Sequence, residues 1–443
     1  MHMKKIILTL VILSTFFGAS GISAQNLKIQ QSNFLLLNNL QNLKVQNLNQ
    51  AQLDRLKIIL ENFLNILLKQ KVEIKNTNKD RFKIRCCQTK KNKSKKDIKE
   101  NRQKVYQFGI NLDVARRFYT PDEIKKYIDL VSTYDKSFLQ LHLSDDQNAA
   151  LESEFLNQTV ANATVDQNGI YTNPNTQKQF LSKDQIRELI NYAKTKNIEL
   201  IPEIDMPAHA KGFLDLAKIK FGQAFVDNIS DGYFQGELNI SKQEALDFSK
   251  SIYTEYAELF KDLKYFHMGA DEVFSANKAD KLSYIQNTSN FLKSKGFKVR
   301  MWNDLILKEN LSEISKDIQV TYWSFDGDAQ DPNDIEERRK NRASVPDLQK
   351  NGFEVLIYNS YYLFFVPSSS NFNQHDIEYM QNDLKDNWSL KKWDSNNDVE
   401  LENLKGIIGA AHSIWNENSD SILKNDIYEV SEGVFGILKN KGE

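Results

Sequence analysis

The sequence predicts an α/β fold, a (β/α)8 TIM barrel, preceded by a mostly helical or disordered N-terminal extension. Three observations lead there. After Tyr106, eight short apolar runs alternate with helical patterns, as parallel strands returned by helices require. The glycine-rich first turn by which an open doubly wound sheet holds its ligand is missing. Polar and aromatic residues also gather just past the ends of the apolar runs, where barrel enzymes place their sites. The chain has 443 residues with 40% hydrophobic content, enough for one large barrel and an appendage. Its formal net charge of −1 gives no overall attraction for nucleic acid or an anionic membrane, and a neutral ligand fits better.

The first 24 residues read as an export signal. Lys4 and Lys5 precede the apolar stretch Ile6 to Phe17, and Ala24 stands at a cleavage position before Gln25. The apolar run is short for a membrane span of about 20 residues, so the expectation is an exported protein, secreted, periplasmic or at the cell surface, without stable membrane insertion. Residues 25–104 form the extension. Leu53, Leu56, Leu60, Phe63, Leu64 and Leu67 recur at helical spacing, and the basic run Lys90 to Lys99 reads as a solvated linker, with a tether to an anionic polymer as its alternative. The two cysteines, Cys86 and Cys87, are adjacent and poorly placed for an ordinary disulfide.

From residue 105 to 443 the barrel elements follow in order. Strands are predicted at Phe108–Leu112, Phe138–Leu143, Ile198–Ile204, Tyr265–Met268, Val299–Trp302, Val320–Trp323, Val355–Tyr358 and Ile407–Ile414. Helices are predicted over Pro121–Tyr134, Ser182–Thr195, Ser241–Phe260 and Tyr284–Lys295. Pro121 suits a first helical position, and Ser182 and Ser241 suit N-caps.

The strand ends carry Asp113 and Arg116, then His142 and Asp145, then Glu203, Asp205 and His209, then His267, Asp271 and Glu272. Trp302 and Trp323 close the fifth and sixth strands. Tyr361 and Tyr362 follow the seventh, and Trp415 and Glu417 the eighth. Indole rings can pack against the C–H faces of a sugar while carboxylates and an arginine hold its hydroxyls, so the residue types point to carbohydrate. The adjacent pair Asp271–Glu272 is the sharpest feature. Neighbouring carboxylates resist double ionisation, so one pKa is expected to rise, as a general acid requires. Both can face one ligand only if the strand has ended in a turn, for which Gly269 is suited. A metal site built from His142, Asp145, His209, His267 and Asp271 is the rival reading, opposed by the tryptophans crowding the same rim.

The segments LHLSDDQ at Leu141–Gln147, IPEIDMPAH at Ile201–His209, HMGADE at His267–Glu272 and SIWNE at Ser413–Glu417 resemble the motifs of glycoside hydrolase family 20, the β-N-acetylhexosaminidases. Further segments, LDVARRFYTPDEI, RMWND, TYWSFDGDAQD and YNSYYL, resemble those of bacterial members acting on biofilm poly-β-1,6-N-acetylglucosamine. The resemblance implies a retaining mechanism in which the substrate's 2-acetamido oxygen is the nucleophile. By similarity Asp271 orients that group and Glu272 is the acid and base. Arg116 and Glu417 hold hydroxyls, Trp302, Trp323 and Trp415 wall the sugar, and Asp331, Tyr361 and Tyr362 add contacts. Asp145 contacts the substrate or, with His142, Asp205, His209 and His267, supports the residues that do. The implied partner is a polysaccharide or oligosaccharide containing N-acetylglucosamine, with no metal and no organic cofactor. Four positions depart from the family pattern. Ala270 and Asn416 replace glycines, while Ser275 and Phe364 replace tyrosines. Phe364 cannot donate the hydrogen bond its counterpart gives the acetamido oxygen, so either Tyr361 or Tyr362 supplies it or activity is weakened.

Overall fold

The computed structural model describes residues 106–232, 236–395 and 399–442. The export signal, the Leu53–Leu67 helix, the cysteine pair and the basic run lie outside these residues. Eight parallel strands form the barrel: β1 Gln107–Asp113, β2 Phe138–His142, β3 Glu199–Met206, β4 Tyr265–Gly269, β5 Lys298–Trp302, β6 Gln319–Tyr322, β7 Glu354–Ile357 and β8 Ile407–Ile414. Each pairs with the next in order, and β8 pairs back onto β1, with Gln107 opposite Gly409 and Leu112 opposite Ile414. That closure leaves the barrel no free edge. All eight predicted strands are present, with ends within two residues of those expected.

The helices explain themselves locally. In α1, Pro121–Val131, Thr120 and Glu123 form a reciprocal capping box and proline takes the first turn. Ser182 does the same with Gln185 for α2, Lys183–Thr195. The helix predicted from Ser241 starts later, as α3 Gln243–Leu259, because the Ser241 hydroxyl donates to Asn239 Oδ1 and does not cap. The one predicted from Tyr284 starts earlier, as α4 Lys278–Ser294, because Asn277 accepts from the Ala279 and Asp280 amides. Between β5 and β6 the return carries only the 3-10 turn Lys308–Asn310. The remaining returns include α5 Pro332–Asn341, α6 Gln374–Asn387 and α7 Lys424–Lys439.

Two apolar regions result, one between strands and helices and one inside the barrel. The inner one holds Phe138, Ile201, Tyr265, Trp302, Tyr358 and Trp415. Gly109 makes room for it, since a Cβ there would stand 2.4 Å from the Phe138 ring. Below the tryptophans the interior is polar, and some of its groups, Arg300 Nη1 and the Asn111 amide among them, have no hydrogen-bond partner. Arg300 lies between the rings of Phe138 and Tyr265, 4.6 and 4.5 Å from their centres. Its guanidinium donates to Gln319 and Gln107. The barrel is therefore a filled support whose upper layer forms the floor of the site.

Candidate active site

The sharp turn after β4 brings two carboxylates to one place. Gly269, Ala270 and Glu272 all adopt left-handed φ, at 68°, 72° and 46°, so the strand's alternation is broken and Asp271 and Glu272 reach the same cavity. Ala270 accepts a conformation that costs an L-residue with a side chain about 1–2 kcal/mol, which explains why glycine suits this position. The turn is anchored by Asp205, whose Oδ1 accepts the Ala270 amide at 3.1 Å.

A cavity of about 250 Å³ opens there, at the C-terminal ends of the strands. Of the predicted site residues, Arg116, His142, Asp145, Asp205, His209, Asp271, Glu272, Trp302, Trp323, Trp415 and Glu417 line it. His267 lies beneath, fully buried, with its ring against Trp302 at 4.8 Å and its Nε2 on the Thr321 hydroxyl.

Three predicted residues are not brought to this cavity. Asp331 does not line the cavity, because its carboxylate caps α5 by accepting the amides of Asn333 and Asp334. Asp328 lines it instead, held by the Ser360 and Ser395 hydroxyls. Neither Tyr361 nor Tyr362 reaches the cavity. Asn359 caps the short helix that carries them, which turns Tyr361 outward to meet the Tyr379 hydroxyl at 3.4 Å and packs Tyr362 against the core. Phe364 takes the wall position, and among the described residues no tyrosine lines the cavity.

The sequence placed Glu203 at a strand end but not beneath an indole, and it gave no sign of Asp304; these groups hold the walls. Glu203 accepts from the Trp302 indole at 2.7 Å and from Gln140 at 2.7 Å, and lies 3.2 Å from His142. Asp304 accepts from the Trp323 indole at 2.6 Å and pairs with Arg342 at 2.8 Å. The repeated pattern of a tryptophan with a buried carboxylate on another strand has no signature in sequence spacing. Asn416, where glycine is usual, ties β8 to β1 by donating to the Asp113 carbonyl at 2.7 Å.

The charges form one connected set. Arg116 pairs with Asp113 at 3.1 Å and Asp145 at 2.7 Å, and approaches Glu417 at 3.9 Å. Asp145 also meets His142 at 2.8 Å and His209 at 3.4 Å. The far nitrogen of His209 lies 3.2 Å from Glu272 and 4.0 Å from Asp271. Burial works against a charged His209, but Asp271 and Asp145 outweigh it and keep the imidazole protonated. The hydrogen bond from His209 in turn holds the Glu272 carboxyl below its ordinary range. Asp271 goes the other way. Burial pushes it up to about 6, against the attraction of His209 and with the Asp304 charge adding to the rise. Asp205 is driven well up by burial and by Asp271. One pKa of the pair does rise, as expected, but it belongs to Asp271, which burial raises, while the hydrogen bond from His209 lowers Glu272. Mixed groups such as Asp205, His209 and Asp271 have metal-ligand spacing.

The catalytic-domain model of glycosyl hydrolase family 20 matches residues 106–429. The crystal structure of Dispersin B superposes with a TM-score of 0.73 at 39% identity, covering 76% of this chain and 99% of that one. A chitooligosaccharidolytic β-N-acetylglucosaminidase of Bombyx mori is 30% identical over 215 residues, 47% of this chain and 34% of that protein. A lacto-N-biosidase of Bifidobacterium bifidum is 24% identical over 278 residues, 58% of this chain and 23% of its own length. The chain thus spans about a quarter to a third of these two relatives. With its strand order, its rim of tryptophans and carboxylates and its Asp271–Glu272 turn, the chain belongs to glycosyl hydrolase family 20.

Proposed function

We propose that this protein hydrolyses β-linked N-acetylglucosamine, with the substrate's own acetamido group as nucleophile and retention at the anomeric carbon. The observation that carries the reading is the convergence of Asp271 and Glu272 on one nitrogen of His209. A protein nucleophile and an acid flank the scissile bond, whereas the convergence of these two on one nitrogen favours an acid beside an orienting carboxylate. Asp145, a further cavity carboxylate, is engaged by Arg116 and His142.

In this mechanism Glu272 gives a proton to the leaving oxygen as the C1–O bond breaks and the acetamido oxygen bonds to C1. Asp271, ionised, accepts from the acetamido N–H and offsets the positive charge of the cyclic intermediate. Glu272 then takes a proton from water, which attacks C1 and displaces the acetamido oxygen. Glu272, held below its ordinary range, receives the proton of the first step from the His209 nitrogen 3.2 Å away, and the proton it takes from water in the second step returns to His209. Arg116 and Glu417 hold sugar hydroxyls between walls of Trp302, Trp323 and Trp415. The favoured substrate is bacterial poly-β-1,6-N-acetylglucosamine, with β-1,4 chitin or peptidoglycan fragments as the enzyme alternative. Export of the chain belongs to the same reading and rests on the N-terminal residues. Among the described residues no helix is long and apolar enough to cross a membrane.

A second reading, a glycan-binding protein with weakened catalysis, draws on Phe364 in the cavity wall. Release of nitrophenol from a chromogenic N-acetylglucosaminide separates the two. Turnover of that substrate with none of the matching glucoside supports the hydrolase, and binding without turnover supports the second reading. Product analysis on β-1,6 and β-1,4 oligomers then assigns the linkage.

A further inference from the structure

The turn that presents Glu272 is held from both sides. Asp205 fixes its entry through the Ala270 amide. Its exit is fixed by a residue from a different loop, Glu237. The Glu237 side chain is only 2% exposed, and its carboxylate accepts the Phe274 amide at 3.2 Å, the Ser275 amide at 3.0 Å and the Ser275 hydroxyl. Three donors thus converge on one buried carboxylate two and three residues beyond the acid. Glu237 is itself anchored to the barrel. Its carbonyl accepts the Asp231 amide, the next residue's amide donates to the Pro207 carbonyl, and the carbonyl of Gly236 accepts the amide of Ala210. Pro207 and Ala210 flank His209, the partner of Glu272. One loop therefore sets both the residue that shares a proton with the acid and the backbone that carries it.

Glu272 needs this restraint. Its left-handed φ of 46° is one that an L-residue keeps only where the surroundings enforce it. The side chain is 39% exposed, so packing alone does not fix it. A positional error of about 1 Å in a reacting group can cost on the order of 10²-fold in rate.

We infer that Glu237 is a positioning residue for the acid Glu272, acting through the amides of Phe274 and Ser275. The inference rests on the hydrolase reading above and does not place Glu237 in contact with substrate. Loosening this clamp then impairs proton donation in the first step, which kcat/KM reads apart from the later attack of water. A sugar leaving group, which departs as a poor alkoxide unless protonated, is penalised, whereas a dinitrophenolate leaves with little help.

The test compares the full chain with Glu237→Gln and Ser275→Ala on N-acetylglucosamine oligomers and on dinitrophenyl N-acetylglucosaminide. For Glu237→Gln, kcat/KM on oligomers, which reads the steps through departure of the leaving group, is expected to fall about 10- to 100-fold, and less than about threefold on the aryl substrate. Ser275→Ala, which removes only the hydroxyl bond and leaves Glu237 intact, should move the ratio of the two rates in the same direction by less. This second variant keeps the test decisive if Glu237→Gln folds poorly. Equal losses on both substrates would mean a general structural role and overturn the inference, as would unchanged oligomer turnover in both variants. A parent chain that hydrolyses neither substrate sinks the hydrolase reading itself, and the positioning role with it.

Discussion

Phe364 lies parallel to Trp323, ring centroids 5.9 Å apart and planes 11° from each other, and meets Trp415 edge-on at 5.6 Å. The ring completes the aromatic wall but offers no hydrogen bond. Attack by the acetamido oxygen depends on that oxygen being fixed in advance, and a single aligned donor at such a position is worth roughly 10²–10³ in rate. Phe364→Tyr is expected to raise kcat by about tenfold or more, with little change in KM. Tyr361→Phe and Tyr362→Phe should match the parent, since neither side chain lines the cavity. Steady-state kinetics on oligomers decides it, and an unchanged kcat in Phe364→Tyr defeats this account of acetamido positioning.

Glu272→Gln keeps the shape of the acid and removes its proton. The variant should fold and bind normally, yet lose on the order of 10²–10⁴ in rate on sugar–sugar linkages, the usual worth of general acid catalysis. Aryl glycosides with good leaving groups should suffer far less in the first step. Near-parental hydrolysis of the natural polymer would falsify the assignment.

Asp271 is ionised in the fold at a cost to stability. Its folded pKa of about 6 exceeds its ordinary 3.8, so between these values the folded chain binds more protons than the unfolded one, and stability falls as pH rises. Below about pH 3.8 both states are protonated and the penalty vanishes. Above about 6 it is complete. Asp271→Asn should therefore raise Tm at about pH 7.5 and leave it nearly unchanged at about pH 3.5, while turnover is lost. In the parent, kcat/KM should fall on the acid side with a midpoint near 6, because the acetamido N–H needs the carboxylate. A lower Tm for Asp271→Asn at neutral pH contradicts the sign.

Arg300 is a buried guanidinium with neutral partners, Gln319 and Gln107, and two aromatic faces. Replacing a buried charge by an apolar side chain of similar volume is often neutral or stabilising by about 1–4 kcal/mol, while removing only a partner leaves a donor unsatisfied. Arg300→Met is expected to hold or raise stability in urea titrations, and Gln319→Ala to lower it by about 1–3 kcal/mol. The opposite ranking would show that Arg300 is needed to keep the barrel floor in register.

The eight strands were legible in the sequence because each is a short, mostly apolar run set between helical patterns, and the barrel repeats that unit eight times. Helix starts were legible where the cap was local, as at Ser182, and missed where a neighbour competed, as at Ser241. Asp271, Glu272, Arg116 and the three rim tryptophans could be placed because strand ends are visible in one dimension and a barrel gathers them at one face. What each group does at that face was decided only in three dimensions. Asp331 turned to its own helix, Tyr361 faced outward and Asp328 came in, since capping and the pitch of one short turn choose between residues that look equivalent in sequence. The carboxylates beneath the indoles, the clamp at Glu237 and the opposite pKa shifts of Asp271 and Glu272 depend on charges meeting across strands tens of residues apart. A sequence by itself fixes which groups are present, but the field that each one feels is a property of the packed fold.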